Sequence, residues 1–328
     1  MTDQTHLQVG ILMANQEARN FLANQWGKQG TSSDITLYTV SSSSLVQTSI
    51  VPEGYPKKPL SLVITAHLSD VVVLGVPVSG VDATVGESAI LADCLQLPGI
   101  KAVVGEQTMG LDSYFEQMDK LFAKLSVKSW QSQMIYNGAG ASQAREQLQA
   151  LQPQPRGSAE DYLAIEVDHA FPVQGVGSVI LGTVISGTVE KGQKIRIFPE
   201  KQEGTVRSIQ VNDEDVRSAG PGVHVGLAMK GILPKFLQRG TVITAADQDQ
   251  VIQTQQLDFN IKPAAFGEAP EVGDHIHLVS GLFDSPGEII EWGNSVSIKT
   301  EKLVPFHQKI RMTVLDLNKK PAIVGAKI

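Results

Sequence analysis

Few side chains in this 328-residue sequence are placed to do chemistry, and each has a competing structural explanation. The single cysteine, Cys94, lies in TVGESAILADCLQL, where Val85, Ile90, Leu91, Cys94 and Leu95 recur at helical spacing. A thiol on the apolar face of a helix packs as a small hydrophobe, and one cysteine makes neither an internal disulfide nor a cysteine-rich metal site. His275 and His277 alternate on an expected strand and share a face, as two zinc ligands would. No third ligand follows at a usable spacing, and a solvated strand face accounts for the pair. No Ser/His/Asp set or metal cluster is supported by spacing, so the sequence offers no alternative catalytic centre.

The elements that would position functional groups come in two styles. The first half alternates short apolar runs such as HLQVGILM and SDVVVLGVP with helical patterns such as NQEARNFLANQWG and LDSYFEQMDKLFAKL. The unbroken run Val71 to Val76 suits a strand covered on both faces, which predicts an open α/β sheet flanked by helices over residues 1–155. The stretch LQALQPQPRGSAEDY, with its prolines and glycine, breaks the alternation and reads as a linker near Leu151 to Asp161. Beyond it, GVGSVILGTVISGTVEKGQKIRIFP carries β-branched residues punctuated by glycine, the pattern of a small antiparallel barrel over 156–247. A second barrel is expected over 248–328, with EVGDHIHLVSGLFDSPGEIIEWGNSVSIKT as its clearest hairpin series. The tract Ser41 to Ser44 reads as a loop between strands.

Composition limits the function. With 42% hydrophobic and 19% charged residues the chain is ordinary for a globular protein, and no apolar run is long enough to span a bilayer. The start, MTDQTHLQVG, has neither the basic residues nor the apolar segment of a secretory signal, so a cytoplasmic location and no membrane partner are expected. A net charge of -7 argues against strong, sequence-blind nucleic-acid binding, which needs clustered Lys and Arg; any RNA contact must be local.

The second domain carries a more specific signal. IEVDHAFPVQGVGSVILGTVISGTVEKGQKIRIFP followed by VRSIQVNDEDVRSAGPGVHVGLAMKGILPKFLQRGTVIT resembles the second domain of translational GTPases of the Tu type, and most the SelB branch. Asp168, Ala170, Phe171, Gly175, Gly177, Gly182, Gly187, Gly192, Arg207, Ser208, Ile209, Gly226, Gly231, Arg239 and Gly240 carry the likeness. The last segment resembles the third domain of that family more weakly, through its barrel grammar and PAIVGAKI. The resemblance implies a P-loop-GTPase-like α/β domain followed by two β-barrels, and a translation elongation factor homologue. SelB proteins carry a fourth domain that reads a messenger RNA element; the likeness stops at the third, so recruitment by that element is not expected.

The family would imply GTP and magnesium as cofactors, but their motifs are missing. A phosphate loop, G-x-x-x-x-G-K-[ST], wraps phosphates with backbone N–H groups, neutralises them with a lysine and holds magnesium with a hydroxyl. The first strand–helix junction here reads Gly10-Ile11-Leu12-Met13-Ala14-Asn15-Gln16-Glu17-Ala18, with Asn15 and Gln16 where the second glycine and the lysine belong and Glu17 at the hydroxyl's place. The D-x-x-G element aligns with Val51-Pro52-Glu53-Gly54, with Tyr55 in place of the following histidine. The guanine-reading N-K-x-D aligns with Gly105-Glu106-Gln107-Thr108. Neither GTP binding nor GTPase activity is expected.

In the family the aminoacyl end of tRNA lies against the second domain, in a pocket closed by the first. Carried over to matching positions, this places Asp168, His169 and Phe171 on the lining strand and His224 opposite, with Arg207 and Arg239 as candidate phosphate contacts. Phe171 is equally explained as barrel core, the histidines as exposed or satisfied, and the arginines as ordinary surface. Aminoacyl-tRNA and the ribosome are the partners so implied. The rival expectation is a pseudo-GTPase scaffold, outside translation, that binds a protein through its first domain.

Overall fold

Helices form in the first domain where apolar residues recur on one face, and strands where the apolar runs are continuous. The computed structural model describes residues 4–105, 111–153 and 155–328; Thr108 lies outside them. In chain order the first domain contains β1 (Thr5–Leu12), α1 (Gln16–Trp26), β2 (Lys28–Ser32), β3 (Ile35–Ser41), β4 (Leu45–Pro52) and α2 (Pro59–Leu68). It continues with β5 (Val71–Pro77), α3 (Ala83–Cys94), β6 (Gly99–Val104), α4 (Leu111–Leu121), β7 (Ser132–Ile135) and α5 (Gly138–Ala150). One seven-stranded sheet runs β2-β3-β4-β1-β5-β6-β7, parallel from β4 to β7 and closed at one edge by the antiparallel β2–β3 hairpin.

Both faces of the central strands are covered, as the run from Val71 to Val76 requires. Leu22 and Trp26 of α1 pack with Ala141 and Leu148 of α5 on one face, while Leu62 of α2 and Ile90 and Leu91 of α3 cover the other. Cys94 is buried at the end of α3, where burial and then the neighbouring Asp93 push its thiol up to about 12, far from a reactive thiolate. Two elements depart from expectation. KQGTS, too polar to show a strand pattern, pairs with ITLYTVS as the edge hairpin, and the Ala- and Gln-rich segment ahead of the linker forms α5.

The second domain comprises β8 (Ala164–Val173), β9 (Gly177–Ser186), β10 (Val189–Glu190), β11 (Lys194–Phe198), β12 (Gln202–Val211), β13 (Glu214–Val216), β14 (Ser218–Ala219), β15 (His224–Lys230) and β16 (Val242–Ala245). Its order β11-β16-β8-β9-β15-β12 closes through a β11–β12 pairing, giving a six-stranded barrel. The third domain contains β17 (Ile252–Pro263), β18 (His275–Ser280), β19 (Phe283–Trp292), β20 (Ser295–Phe306), β21 (Met312–Leu315) and β22 (Ile323–Lys327), closed in the order β17-β20-β19-β18-β21-β22. His275 and His277 do share a face of β18, yet among the described residues no group of three or more His, Cys, Asp or Glu is arranged to hold a metal ion. Among the described residues no helix is long and apolar enough to cross a membrane.

The first and third domains share a core in which Ile90, Leu91 and Cys94 of α3 pack with Leu315, Ile323 and Ala326. At its margin Arg311 donates from Nη1 to the carbonyls of Ala66 (3.2 Å), His67 (2.8 Å) and Ser69 (2.6 Å), satisfying the C-terminal end of α2, which carries the negative pole of the helix. Burial, and then the charge of Arg156, push its guanidinium down to about 9, so it stays protonated at neutral pH. Fully buried His67 completes the joint. Its Nδ1–H donates to the Gly281 carbonyl at 2.6 Å, and its Nε2 accepts the Thr313 hydroxyl at 2.8 Å. Arg311→Ala leaves those carbonyls without their donor and should lower stability by about 3 kcal/mol in urea unfolding. A loss under about 0.5 kcal/mol, the range of an ordinary surface change, would contradict this account.

Candidate functional site

The candidate residues fall in two places, the first strand–helix junction and the β8 face of the second domain. Gly10 lies inside β1, paired with Ile50 and Val72, where an added Cβ would come within 2.3 Å of Ser69 Oγ; it serves strand packing rather than a loop. Only Met13, Ala14 and Asn15 separate β1 from α1. Asn15 caps the helix by accepting from Ala18 N at 2.9 Å, and Gln16 and Glu17 form its first turn.

The space beneath this short loop is taken by Arg19. Its fully buried guanidinium donates from Nη1 to the carbonyls of Met13 (3.3 Å), Ala14 (3.0 Å) and Tyr55 (3.0 Å), with Glu53 at 4.0 Å. A phosphate loop turns N–H groups inward; here carbonyls converge on a cation, the opposite polarity. Tyr55, where the family's histidine would be, is buried; its hydroxyl donates to the Thr84 carbonyl at 3.0 Å or to Glu87 at 3.1 Å, and Gly54 before it turns with φ 76°. Met13 packs onto Gly75, leaving a cleft of about 200 Å³ beside Ser79 and Asp82, below the roughly 300–1,000 Å³ of typical ligand pockets. Asp82 is spent capping α3 at Thr84 N (2.9 Å) and Val85 N (3.0 Å), and no Lys or Arg is among the described residues lining the cleft. Gly105 ends the β6 segment beside the undescribed residues.

Arg19 escaped sequence reading, although a signal existed. Arg19, Leu22, Ala23 and Trp26 follow the i, i+3, i+4, i+7 spacing of one helix face, so a charge stands where an apolar residue is due.

On the second domain, strand register brings the candidates together. A bulge between Val167 and His169 inserts Asp168 as an extra residue, opposite Gly182, where an added Cβ would lie 2.6 Å from the Glu166 carbonyl oxygen. Asp168 is buried. Its Oδ1 accepts from His169 Nδ1 at 2.6 Å and its Oδ2 from His224 Nε2 at 2.8 Å. Burial pushes this carboxyl up, but the charge of His224 and the hydrogen bonds from both rings outweigh it and hold the group down at about 2. Burial likewise pulls His224 down, and the Asp168 carboxylate reverses this and raises it.

His169 reaches the first domain, its Nε2 accepting the Ser33 hydroxyl at 3.1 Å. Arg239 ion-pairs with Asp34 in the same turn between β2 and β3, so its charge ties the two domains together. Arg207 stays on the exposed surface and donates to the Val176 carbonyl at 3.0 Å. Phe171, on the same strand face as His169, is 39% exposed and is therefore not barrel core. The site is thus a doubly anchored carboxylate, two oriented imidazoles and an open aromatic ring, next to a turn of the first domain.

Comparison with known proteins gives a consistent family context. Residues 177–244 match the family model for elongation factor Tu domain 2. An uncharacterized protein of Methanocaldococcus jannaschii is 28% identical over 93% of this chain and 94% of its own length. The selenocysteine-specific elongation factor of the same organism is 28% identical over 63% of this chain, and the aligned region spans 46% of that factor. Elongation factor SelB of Methanococcus maripaludis, solved in complex with the GTP analogue GppNHp, superposes with a TM-score of 0.86 at 20% identity, covering 100% of this chain and 79% of that one. The bacterial selenocysteine-specific factor EF-Sec gives a TM-score of 0.85 at 16% identity, covering 99% and 58%.

The Asp168 geometry has a measurable signature. Asp168→Asn removes the charge that raises His224 while leaving its burial, so the imidazole should titrate below its ordinary 6.5 instead of above it by NMR. In the unaltered protein the His224 contribution to stability is complete below 6.5 and fades as pH rises through the raised folded value. The Asp168 contribution is present above 3.8 and fades as pH falls through about 2. An unchanged His224 titration in the Asn variant would refute the coupling.

Proposed function

We propose that this chain, a SelB-like homologue of the translation elongation factors, binds aminoacyl-tRNA through its second domain without a GTP cycle and presents it to the ribosome. The observation that carries the tRNA reading is the group formed by Asp168, His169, His224 and exposed Phe171, on a barrel face that the first domain touches at Ser33. An open aromatic ring offers stacking to a terminal base, and His224, locked by a buried carboxylate, offers an oriented ring nitrogen to the ester end. What supports independence from nucleotide is Arg19, which supplies from within the chain the cation that orders the two loops.

One observation favours the rival scaffold reading. A largely apolar groove of about 380 Å³ lies between α3, α4 and the β21–β22 turn, and Leu121, Phe266 and Leu317 on its walls are exposed, a surface suited to a protein partner.

The second domain and its linker from Arg156 to Asp247 carry 10 basic and 11 acidic residues, so tRNA binding would rest on the pocket and depend shallowly on salt. Phe171→Ala and His224→Ala should each weaken aminoacyl-tRNA binding by about 1–3 kcal/mol in filter-binding assays, with circular dichroism confirming the fold. Equal affinity of the unaltered protein for charged and uncharged tRNA would transfer support to the scaffold. Calorimetric titration with GTP and magnesium should detect no micromolar binding, and a micromolar dissociation constant would end the claim of independence from nucleotide.

A further inference from the structure

Part of one face of the first domain's sheet, at its β2–β3–β4 edge, is left uncovered by helices. Strand register puts Lys28, Thr39 and Thr48 in one cross-strand row, and Ser41, Val46 and His6 in the next. The following row, with Leu37 and Ile50, is sealed by Ile64 and Leu68 of α2 and by Leu282 of the third domain. The two open rows instead face the second domain across a cleft of about 410 Å³, to which that domain contributes Gln210, Asp213 and His224. At the cleft's edge β2 slips register between Gln29 and Ser32, so that Gly30 and Thr31 leave the ladder and line the opening.

Two imidazoles distinguish this cleft from an ordinary gap between domains. His224 gives its Nε2–H to Asp168, and its Nδ1 has no hydrogen-bond partner among the described residues. Both nitrogens of His6 are shielded from solvent and have no partner there either. Burial, and then the charge of His224, push His6 down to about 4, so the rings oppose each other's protonation. A negative group in the cleft would offset that opposition and give His224 Nδ1 a partner. Local charge agrees. Lys28 borders the cleft, Asp168 is shared between two histidines on the barrel side, and Asp213 at the tip of the β12–β13 turn is the one carboxylate among the described lining residues.

We propose that this cleft binds a small ligand through an oxyanion, a phosphate monoester or a carboxylate, held by His224 and Lys28 over the ring of His6, with the hydroxyls of Thr39, Ser41 and Thr48 as further donors. The cleft adjoins the Phe171 face and shares His224 with the tRNA-side group, Phe171 itself lying outside its lining. His169 and His224 take different oxygens of Asp168, so a ligand on His224 acts on the tRNA-side imidazole through one shared carboxylate.

The test is an NMR titration of the histidine ring protons in the full chain at neutral pH, with inorganic phosphate, acetate and, at matched ionic strength, chloride. The His6 and His224 signals should move together and saturate, with a midpoint of about millimolar or tighter, while those of His275 and His277 stay in place. A tighter midpoint for phosphate assigns the ester class, and a tighter one for acetate the carboxylate class. Lys28→Ala should raise the midpoint about tenfold by removing one charge-assisted contact, and Asp213→Asn should lower it; both side chains are exposed, so the fold is not at risk. Signals of His6 and His224 that stay still, that follow chloride equally, or that ignore Lys28→Ala would overturn the proposal. tRNA enters none of these measurements, so their failure would leave the proposed function standing.

Discussion

Arg311 and the end of α2 fix where everything else lies. The first domain can meet the barrels only as a rigid body, because its helices and sheet form continuous cores. Once the α2 carbonyls seat on Arg311 and α3 shares a core with β22, the β2–β3 hairpin at the edge of the sheet has one place to go. It lands with Ser33 on His169 and Asp34 on Arg239. The walls of both the β8 face and the hydroxyl-lined cleft are therefore set by a joint that begins one strand row away, where Leu68 of α2 and Leu282 of the third domain meet Leu37 and Ile50. Such a joint suits Arg: a delocalised guanidinium can serve several carbonyls at once and is less costly to take out of water than an ammonium.

The nucleotide region and the second-domain site make opposite use of buried charge. Around Arg19 a cation draws backbone carbonyls inward, which closes the loops and shrinks the space at the strand ends. Around Asp168 an anion draws side chains inward, with the far edge of His169 taken by Ser33 and that of His224 left open, which orients groups without filling the site. Each desolvated charge is offset by several hydrogen bonds, the condition under which burial is tolerated.

Much of the fold was legible because it follows from periodicity. The strand at Val71, the helices with apolar stripes and the glycine-punctuated barrel strands all declare themselves within ten or so residues of sequence. The edge hairpin did not. Its Lys, Gln, Gly, Thr and Ser lie in a polar strand whose partners are a neighbouring strand and another domain, and neither leaves a local pattern. The site was legible in part through family resemblance, which brought Asp168, His169, Phe171 and His224 to one surface. It could not give the bulge that turns Asp168 toward both rings, since Asp168 and His224 are 56 residues apart. The roles of Arg19, Ser33 and His6 depend likewise on groups brought close only by tertiary packing.

Arg19 also bears on how order in the first domain responds to its surroundings. A dissolved ligand that orders a loop does so by mass action, and the stabilisation grows with the logarithm of its concentration. A side chain that orders the same loop is present once in every folded molecule and cannot be diluted, competed away or depleted by the metabolic state of a cell. The arrangement of Met13, Ala14 and Tyr55 around that guanidinium is therefore a fixed property of the polypeptide, inherited at synthesis rather than acquired by encounter.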